Sequence, residues 1–453
     1  MELRDFISNL EEDKDLVRIK ESLSTKHEIS AVMDIIDKRS GQAVIFENVE
    51  GYSSPVIGNL LSQHRRAALA MGVEEKNLVH EYMKRVQTKV KPRVVSDGPV
   101  KEIVIKDKIN IIKEIPVLTH HERDVGPYFT SGIVIAKDPE TGVRGMGIHR
   151  MQVRSADEII LNLARPPVAT FLKKAKENQR ELDIAVVIGV DLLTFIASVF
   201  FSPSGVDKFE IAGALKKGPI DLVKCTTVDL EVPAQSEFVL EGKIDPRNMV
   251  EEGPFGESWG TYIETRNPLC KVQAISRRHE PIYHALTSFS GEEVMLRGLS
   301  MISDTMPSLT KKFHDVVTIW IDPFNRSSLI VQIKKSNEET PKKILEYLLS
   351  NIHFINSVTI VDDDIDLLDP YAIGFAISTR YKPQSGTVIL DGLKGFSLIP
   401  SSEIKGGTGL VTSKLGIDAT KPLLNSEKYD MVKVPISVAD KASELVKKYL
   451  KYG

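Results

Sequence analysis

The sequence predicts a multi-domain α/β protein, with an α/β domain at each end and a β-barrel or open sheet in the middle. At 453 residues the chain is too long for one ordinary hydrophobic core, so two or three domains are expected. Helical periodicity alternates with short apolar runs in the first and last thirds, whereas the middle third carries short β-rich runs broken by Pro and Gly. We place the domains at residues 1–105, 106–300 and 301–453.

The N-terminal domain is predicted to begin with an amphipathic helix. Its apolar residues follow the i, i+3, i+4, i+7 spacing of one helical face, namely Leu3, Phe6, Ile7 and Leu10. A second periodic segment at 29–36 leads into a strand-like run at 43–46. This alternation of helix and strand indicates an α/β domain.

The middle and C-terminal thirds differ in their predicted elements. In the middle we predict a helix at 168–178 and strands at 131–136, 147–153, 185–190, 222–228, 237–241 and 272–275. In the last third we predict a helix at 341–351 and strands at 317–321, 329–333, 358–361 and 387–390. A final amphipathic helix carries Val438, Ala442, Leu445, Val446 and Tyr449 on its apolar face. We expect that face to pack on its own domain, with docking on another subunit as the alternative.

Composition and charge exclude several functional classes. The chain has 59 basic and 62 acidic residues, so a polyanionic partner such as nucleic acid is not expected. The start of the chain lacks the features of a signal peptide, and no stretch offers about 18 uninterrupted apolar residues. We therefore expect a cytoplasmic protein with no membrane segment. Cys225 and Cys270 can form at most one disulfide, and we expect both to be buried small apolar side chains.

The segment 252–257, with the sequence EGPFGE, is the strongest local candidate for a functional site. Glu252 and Glu257 are separated by residues that supply backbone freedom, a fixed φ and one apolar side chain but no competing charge. We interpret the segment as a shaped turn that aims two carboxylates at one target. The alternative is a Gly-Pro turn with incidental glutamates.

Several strings in this order and spacing closely resemble the UbiD family of reversible decarboxylases, which use prenylated flavin mononucleotide. The strings are residues 120–130 (HHERDVGPYFT), 147–152 (GIHRMQ), 210–215 (EIAGAL), 222–225 (LVKC), 252–257 (EGPFGE), 361–366 (VDDDID) and 416–421 (GIDATK). The resemblance covers nearly the whole chain. It implies α/β terminal domains around a split β-barrel that holds the flavin, a flavin prenyltransferase that supplies the cofactor, and assembly into homodimers or homohexamers.

The resemblance also implies roles for individual residues. Arg150, Glu252 and Glu257 are the implied catalytic set. The implied cofactor-binding residues are Gly147, Ile148, His149, Arg150, Met151, Gln152, Pro167, Lys208 and Lys394. Loss of carbon dioxide leaves a carbanion, for which the cofactor is the electron sink, and the carbanion then needs a proton. We assign Glu257 as the proton donor. The alternative is that these charges form an ion-pair network tying the barrel to a loop.

The sequence departs from the family at its metal-ligand positions. Most members bind a divalent metal and a monovalent cation below the flavin phosphate through an Asn, a His and a Glu. The corresponding positions here are Gly145, Pro167 or Val168, and Lys208, none of which is a usual oxygen or imidazole ligand. We therefore predict no metal site of this kind, with the Lys208 ammonium in place of the cation.

Together these features predict a prenylated-flavin-dependent decarboxylase that acts on a small α,β-unsaturated or aromatic carboxylic acid. The alternative is a non-catalytic subunit or pseudoenzyme of a larger carboxylase. The changed cation positions favour this alternative, whereas the retained Arg150, Glu252 and Glu257 oppose it.

His120 and His121 are adjacent, and neighbouring side chains of a strand face opposite sides. We expect them to form hydrogen bonds near the barrel rather than to share a metal ion.

Overall fold

The computed structural model of the chain describes residues 1–201, 205–322, 325–404 and 409–449. Within these ranges the chain forms two compact units, Met1–Ser300 and Met301–Gly453. The three-domain boundaries drawn from the sequence stay a prediction. Among the described residues, no helix combines the length and the apolar character needed to cross a membrane.

The first unit contains the following regular elements. Its helices are α1 (Leu3–Glu12), α2 (Glu28–Arg39), α3 (His64–Met71), α4 (Leu78–Arg85), α5 (Ile111–Glu114), α6 (Val168–Glu177), α7 (Leu192–Ser198) and α8 (Lys208–Lys216). Its strands are β1 (Leu16–Leu23), β2 (Ala43–Val49), β3 (Val56–Gly58), β4 (Arg93–Val94), β5 (Ile103–Ile105), β6 (Tyr128–Phe129), β7 (Ile133–Lys137), β8 (Arg144–Ile148), β9 (Met151–Val153), β10 (Glu158–Leu161), β11 (Leu182–Ile188), β12 (Asp221–Lys224), β13 (Glu231–Pro233), β14 (Phe238–Gly256), β15 (Tyr262–Arg277) and β16 (Tyr283–His284). Short 3-10 helices span Glu75–Asn77 and Pro99–Lys101.

Helix α1 follows the periodicity of the sequence. Its buried residues are Leu3, Phe6, Ile7 and Leu10, the four predicted to share one face. Strands β1, β2, β3 and β16 form a mixed sheet in that order, with β1 parallel to β2. Helix α2 buries Ile29 and Met33 in the hydrophobic core that lines this sheet. The predicted α/β character of this region is therefore confirmed.

A large antiparallel sheet carries the centre of the first unit. Its strands follow the order β6-β9-β10-β15-β14-β11-β7-β8, and β5 pairs with β15. Alternate side chains of its strands enter the core, as Ile184, Val186 and Ile188 of β11 do. Helix α6 packs on this sheet, as the apolar pattern at 168–178 predicted. The same sheet positions the candidate site described below.

The second unit contains its own mixed sheet. Its elements are α9 (Gly291–Lys312, which begins in the first unit), β17 (Val316–Ile321), β18 (Ser328–Ile333), α10 (Thr340–Asn351), β19 (Ser357–Asp362), α11 (Pro370–Arg380), α12 (Pro383–Gly386), β20 (Thr387–Lys394), β21 (Glu403–Ile404), β22 (Leu410–Ala419), a 3-10 helix (Ser426–Tyr429) and α13 (Ile436–Tyr449). The strand order is β17-β18-β19-β22-β20, with β21 on β22. Strands β18, β19 and β22 are parallel, and α10 buries its apolar face against β19, β20 and β22.

Some expectations differ from the structure. The predicted continuous strand at 147–153 is interrupted, since β8 ends at Ile148 and β9 begins at Met151. Val438, Leu445 and Val446 of α13 are exposed instead of packed, whereas the side chain of Tyr449 lies outside the described residues. An apolar stripe in the sequence indicates a surface to be covered, but it does not say by what.

Candidate active site

A bulged β-hairpin carries the two candidate carboxylates. In the pairing of β14 with β15, Glu252 lies opposite Thr265, whereas Phe255 lies opposite Ile263. Two residues of β14 therefore face one residue of β15, which is the definition of a β-bulge. The bulge consists of Gly253 and Pro254.

The bulge puts both carboxylates on one face of the hairpin. Side chains of a regular strand alternate between faces, so residues five positions apart point in opposite directions. One extra residue inverts this alternation, because the side-chain period is two. Glu252, Phe255 and Glu257 consequently share a face. The sequence EGPFGE was expected to form a turn, but β14 continues through Gly256 and the turn spans 257–261.

Gly253 is required by the backbone of the bulge. Its φ is +104°, a value that residues with a side chain rarely adopt. A Cβ atom at this position would lie 2.6 Å from the carbonyl oxygen of Ile263 on the neighbouring strand. The glycine of the string is therefore needed to aim the carboxylates, as the sequence suggested, although through a bulge and not a turn.

Arg150 projects from the interruption between β8 and β9. The backbone N–H of His149 donates to the carbonyl oxygen of Gly132, and the carbonyl oxygen of Arg150 accepts from the N–H of Asn162. The His149 ring bonds the carbonyl oxygen of Asn162 through Nδ1 at 2.8 Å. Burial lowers the pKa of His149 to about 4. The His149 ring therefore holds the local backbone as a neutral imidazole, and its cofactor-binding role stays a prediction.

Arg150 contacts both carboxylates. Its Nε and Nη2 atoms donate to the two oxygens of Glu252 at 2.9 and 2.7 Å, and Nη1 contacts Glu257. Glu252 also accepts from the Thr265 hydroxyl at 2.7 Å and from the Asn267 amide at 3.0 Å. The side chains of Arg150, Glu252 and Glu257 are 10%, 0% and 11% exposed. The structure thus brings the three residues together, and their catalytic roles stay a prediction.

The hydrogen bonds distinguish the two acids. Burial by itself raises the pKa of Glu252, but the Arg150 guanidinium and the Thr265 hydroxyl outweigh burial and hold that pKa below its ordinary value. Glu257 receives Arg150 Nη1 and the backbone N–H of Ser258. One cation between two carboxylates leaves a net charge of −1 in a nearly dry site. Glu252 accepts from more donors than Glu257 does.

An aromatic wall lies beside this charged set. Phe255 is buried, its ring centroid is 4.3 Å from that of Tyr128, and the guanidinium carbon of Arg150 lies 5.4 Å from the Phe255 centroid. The Tyr128 hydroxyl donates to Gln152 Oε1, which also accepts the N–H of Gly253. Burial and the nearby Glu252 carboxylate raise the pKa of Tyr128, so its hydroxyl stays protonated.

The positions of the family's cation ligands hold a different arrangement. A Cβ atom at Gly145 would lie 2.6 Å from both Pro167 and Phe171, so there is no room for a longer side chain. Lys208 is buried, and its ammonium donates to the Ser198 carbonyl oxygen at the end of α7, at 2.8 Å. Burial lowers the pKa of Lys208 to about 7. In the described part of the chain, no group of three or more His, Cys, Asp or Glu side chains is arranged to hold a metal.

The remaining predicted residues lie as follows. Gly147 lies on β8 against the His149 ring, and Ile148, Met151 and Gln152 flank the interruption. Lys394 is exposed on β20 of the second unit, and its cofactor role stays a prediction. His120 is buried with its ring near the hydroxyls of Ser30 and Thr130. Cys270 is buried as expected, whereas Cys225 is half-buried, because it lies beyond the end of β12.

Sequence reasoning missed the residues that hold Glu252 from the opposite strand. Thr265 and Asn267 are separated by one residue, which is the spacing of neighbours on one face of a strand. The alternating polar residues on β15 were a usable signal once a hairpin partner for 252–257 had been recognised. Because residues 252–257 were expected to form a turn, no strand was expected to pair with them.

Comparison with known proteins places this site in a family. The chain matches three family models of 3-octaprenyl-4-hydroxybenzoate carboxy-lyase, namely the N-terminal domain over residues 7–86, the Rift-related domain over 93–291 and the C-terminal domain over 295–419. The chain belongs to the UbiD family. It is a carboxy-lyase of the UbiD type, and both the resemblance drawn from the sequence strings and the α/β fold class are confirmed.

Individual relatives match over nearly their whole length. The anhydromevalonate phosphate decarboxylases of Methanothermobacter thermautotrophicus and Methanosarcina mazei are 31% and 32% identical, over 95% and 96% of this chain and 99% and 100% of theirs. Among solved structures, the UbiD-class enzyme HmfF from Pelotomaculum thermopropionicum in complex with FMN is 34% identical. Its TM-score is 0.90, with coverage of 97% of this chain and 100% of HmfF.

Proposed function

We propose that this UbiD-type enzyme removes carbon dioxide from a small phosphorylated α,β-unsaturated acid with the help of prenylated FMN. The observation that carries the proposal is the contact of Arg150 with both Glu252 and Glu257 in a nearly dry site. The substrate class is taken from two relatives that match the whole chain and are named for anhydromevalonate phosphate. An aromatic acid is the alternative substrate class.

The residues present fit a flavin phosphate. The Lys208 ammonium is buried and donates to the carbonyl oxygen of Ser198, and an ammonium has three N–H donors. An anion beside it offsets the cost of burying that charge. In this proposal Lys208 and the 147–152 segment hold the cofactor, with Pro167 at its edge. When bound, prenylated FMN supplies the electron sink for the carbon that loses its carboxyl group.

The residues do not fit the family's divalent metal. Gly145 supplies no ligand atom, and the space beside it is filled by Pro167 and Phe171. Lys208 places a cation where a metal would need an acidic ligand. We propose that Lys208 takes the place of the metal as the positive charge for the phosphate, and no step of the reaction is assigned to a metal.

The chain's own residues then position the acid and deliver a proton. Arg150 pairs with the substrate carboxylate while Glu252 keeps the guanidinium in place through two hydrogen bonds. The substrate's negative charge favours a protonated Glu257. When the carbon–carbon bond breaks and carbon dioxide leaves, the electron pair remains on the substrate carbon, and Glu257 gives that carbon its proton. Solvent then returns a proton to Glu257.

Replacement of Glu257 by Gln tests this assignment. The wild type is expressed together with a flavin prenyltransferase, and carbon dioxide release is measured with anhydromevalonate phosphate and with aromatic acids. Because the amide cannot donate a proton in the same way, we expect kcat of Glu257→Gln to fall by at least about 1000-fold. Turnover by the variant at a rate near that of the wild type contradicts the donor role. A wild type that binds the cofactor but releases no carbon dioxide supports a non-catalytic subunit.

We also propose that the chain works as a homodimer or homohexamer. The exposed apolar side chains of α13, Val438, Leu445 and Val446, support this, because such a stripe is favourable when another surface covers it. One form of the relative HmfF is described as an evolved dimer.

A further inference from the structure

The segment 120–125 contacts the β14–β15 hairpin next to Glu257. The segment 120–125 crosses the β14–β15 hairpin beside Gly256, the residue that precedes Glu257. Gly256 pairs with Tyr262, so both lie on the face opposite to Phe255 and Glu257. The His121 ring lies against Gly256 on that face, whereas Asp124 and Val125 bond the backbone of β14 itself.

Asp124 is the centre of this contact. Its side chain is 0% exposed. One oxygen accepts the backbone N–H groups of His120 and His121 at 3.2 and 2.8 Å, and the other accepts the N–H of Gly256 at 2.8 Å. The carboxylate thus links the 120–125 segment to Gly256, the residue that immediately precedes Glu257.

Neighbouring contacts fix the same register. The N–H of Val125 donates to the carbonyl oxygen of Pro254 at 3.0 Å, and the N–H of Arg123 donates to the Tyr262 hydroxyl at 3.2 Å. The His121 ring covers Gly256, where a Cβ atom would lie 2.5 Å from Nδ1. The Gly256 position is therefore held by a hydrogen bond and by van der Waals contact together.

Asp124 is suited to this role as an ionised group. Burial raises its pKa, but the His121 ring, 3.4 Å away, and the backbone N–H groups outweigh burial and lower the pKa overall. A carboxylate has two acceptor oxygens and no donor, which matches donors that approach from two sides. An asparagine at position 124 has the same size but only one acceptor oxygen. Its oxygen can accept the donors on one side, whereas on the other side its amide N–H would face a backbone N–H.

We propose that Asp124 is a positioning residue for the decarboxylation, which acts by holding Gly256 so that Glu257 stays beside Arg150. This inference rests on the proposed function, because it assigns Glu257 as the proton donor. Asp124 bonds the backbone of Gly256 and has no hydrogen bond to Arg150, Glu252 or Glu257 among the described contacts, so its proposed role is to set the orientation of the acid.

The test compares Asp124→Asn with Asp138→Asn in the flavin-loaded enzyme. Asp138 is also buried and also accepts a backbone N–H, from Glu140, but it lies in the β7–β8 turn. For Asp124→Asn we expect kcat to fall by about 10- to 100-fold with KM within about threefold, because a misplacement near 1 Å costs rate more than binding. The Asp138 variant should match the wild type. A kcat of Asp124→Asn within twofold of the wild type overturns the proposal.

Amide hydrogen exchange separates this inference from the proposed function. Exchange at Gly256, measured without substrate, should be at least about 10-fold faster in Asp124→Asn than in the wild type, because its acceptor is lost. Unchanged exchange overturns the inference even in an enzyme that turns over. If the wild type releases no carbon dioxide, the proposed function fails, and exchange at Gly256 still tests the hydrogen bond.

A second pair of variants leaves Asp124 intact. Gly256→Ala should lower kcat, since its methyl group collides with His121. His121→Ala combined with Gly256→Ala removes the collision, so kcat should exceed that of Gly256→Ala alone. A kcat of Gly256→Ala within twofold of the wild type overturns the proposal, because it shows that displacing Gly256 leaves Glu257 in its working position.

Discussion

The acid set at the bulged hairpin keeps the residues that the family resemblance implies, whereas the cation positions at Gly145 and Lys208 depart from it. At the hairpin, Arg150 and Glu252 are held by a two-pronged ion pair with further donors from β15. At the cation positions, Gly145 is closed by its neighbours and Lys208 supplies a buried ammonium. Under the proposed function, proton delivery and phosphate anchoring are separable parts of such a site. One can be rebuilt with different chemistry while the other is retained.

Of the substitutions Arg150→Lys and Lys208→Met, Arg150→Lys is expected to have the larger effect. Lysine keeps the positive charge but cannot bond both oxygens of Glu252 and reach Glu257 at once, because it lacks the planar fork. We expect kcat/KM for carbon dioxide release to fall by about 100- to 1000-fold. Bound flavin, measured by absorbance, should stay near the wild-type level. A variant with near wild-type kcat/KM contradicts the proposed role of the ion pair between Arg150 and Glu252. The acid set would then no longer be the retained part of the site.

Replacement of Lys208 by Met is expected to act on cofactor binding and not on the acid set. The ammonium is the proposed partner of the flavin phosphate, so FMN affinity should fall by about 10-fold or more, as measured by quenching of FMN fluorescence. Lys20→Met, at an exposed lysine on β1, is the control for loss of one positive charge. Equal FMN affinity in the wild type and Lys208→Met contradicts the phosphate role.

The same variant has a predicted pH signature without cofactor. The pKa of Lys208 is about 7 in the folded chain and near 10.5 when exposed, so the unfolded chain binds more protons between these values. The stability of the folded wild type should therefore rise as pH increases from 7 to 10, and Lys208→Met should lack this contribution. In thermal unfolding, Lys208→Met should gain Tm over the wild type at pH 6 and lose that advantage by pH 10. A difference that does not depend on pH contradicts the burial of a charged Lys208.

Local patterns predicted the elements, and the resemblance predicted which residues meet. The four apolar residues of α1 share a face because helical periodicity is a local property. The meeting of Arg150 with Glu252 joins residues 102 positions apart, which no local pattern encodes. Here the ordered strings of the family, not the spacing of charges, supplied the prediction.

The bulge and the contacts behind it could not be predicted in the same way. A glycine followed by proline is compatible with a turn or with a bulge, and the choice depends on the strand paired with it. Asp124 lies inside a string noted for its histidines, yet its bond to Gly256 spans 132 positions. The exposed face of α13 likewise depends on partners that the chain's own pattern does not name.

The most direct test of the comparison is carbon dioxide release from anhydromevalonate phosphate by holoenzyme that has been treated with EDTA and dialysed, with Glu257→Gln beside it. The account predicts that the treated wild type keeps its kcat within about twofold, because Lys208 and not a metal holds the phosphate, and that Glu257→Gln releases almost no carbon dioxide. Loss of wild-type turnover that added Mn²⁺ or Mg²⁺ restores, or turnover by Glu257→Gln at the wild-type rate, would contradict it.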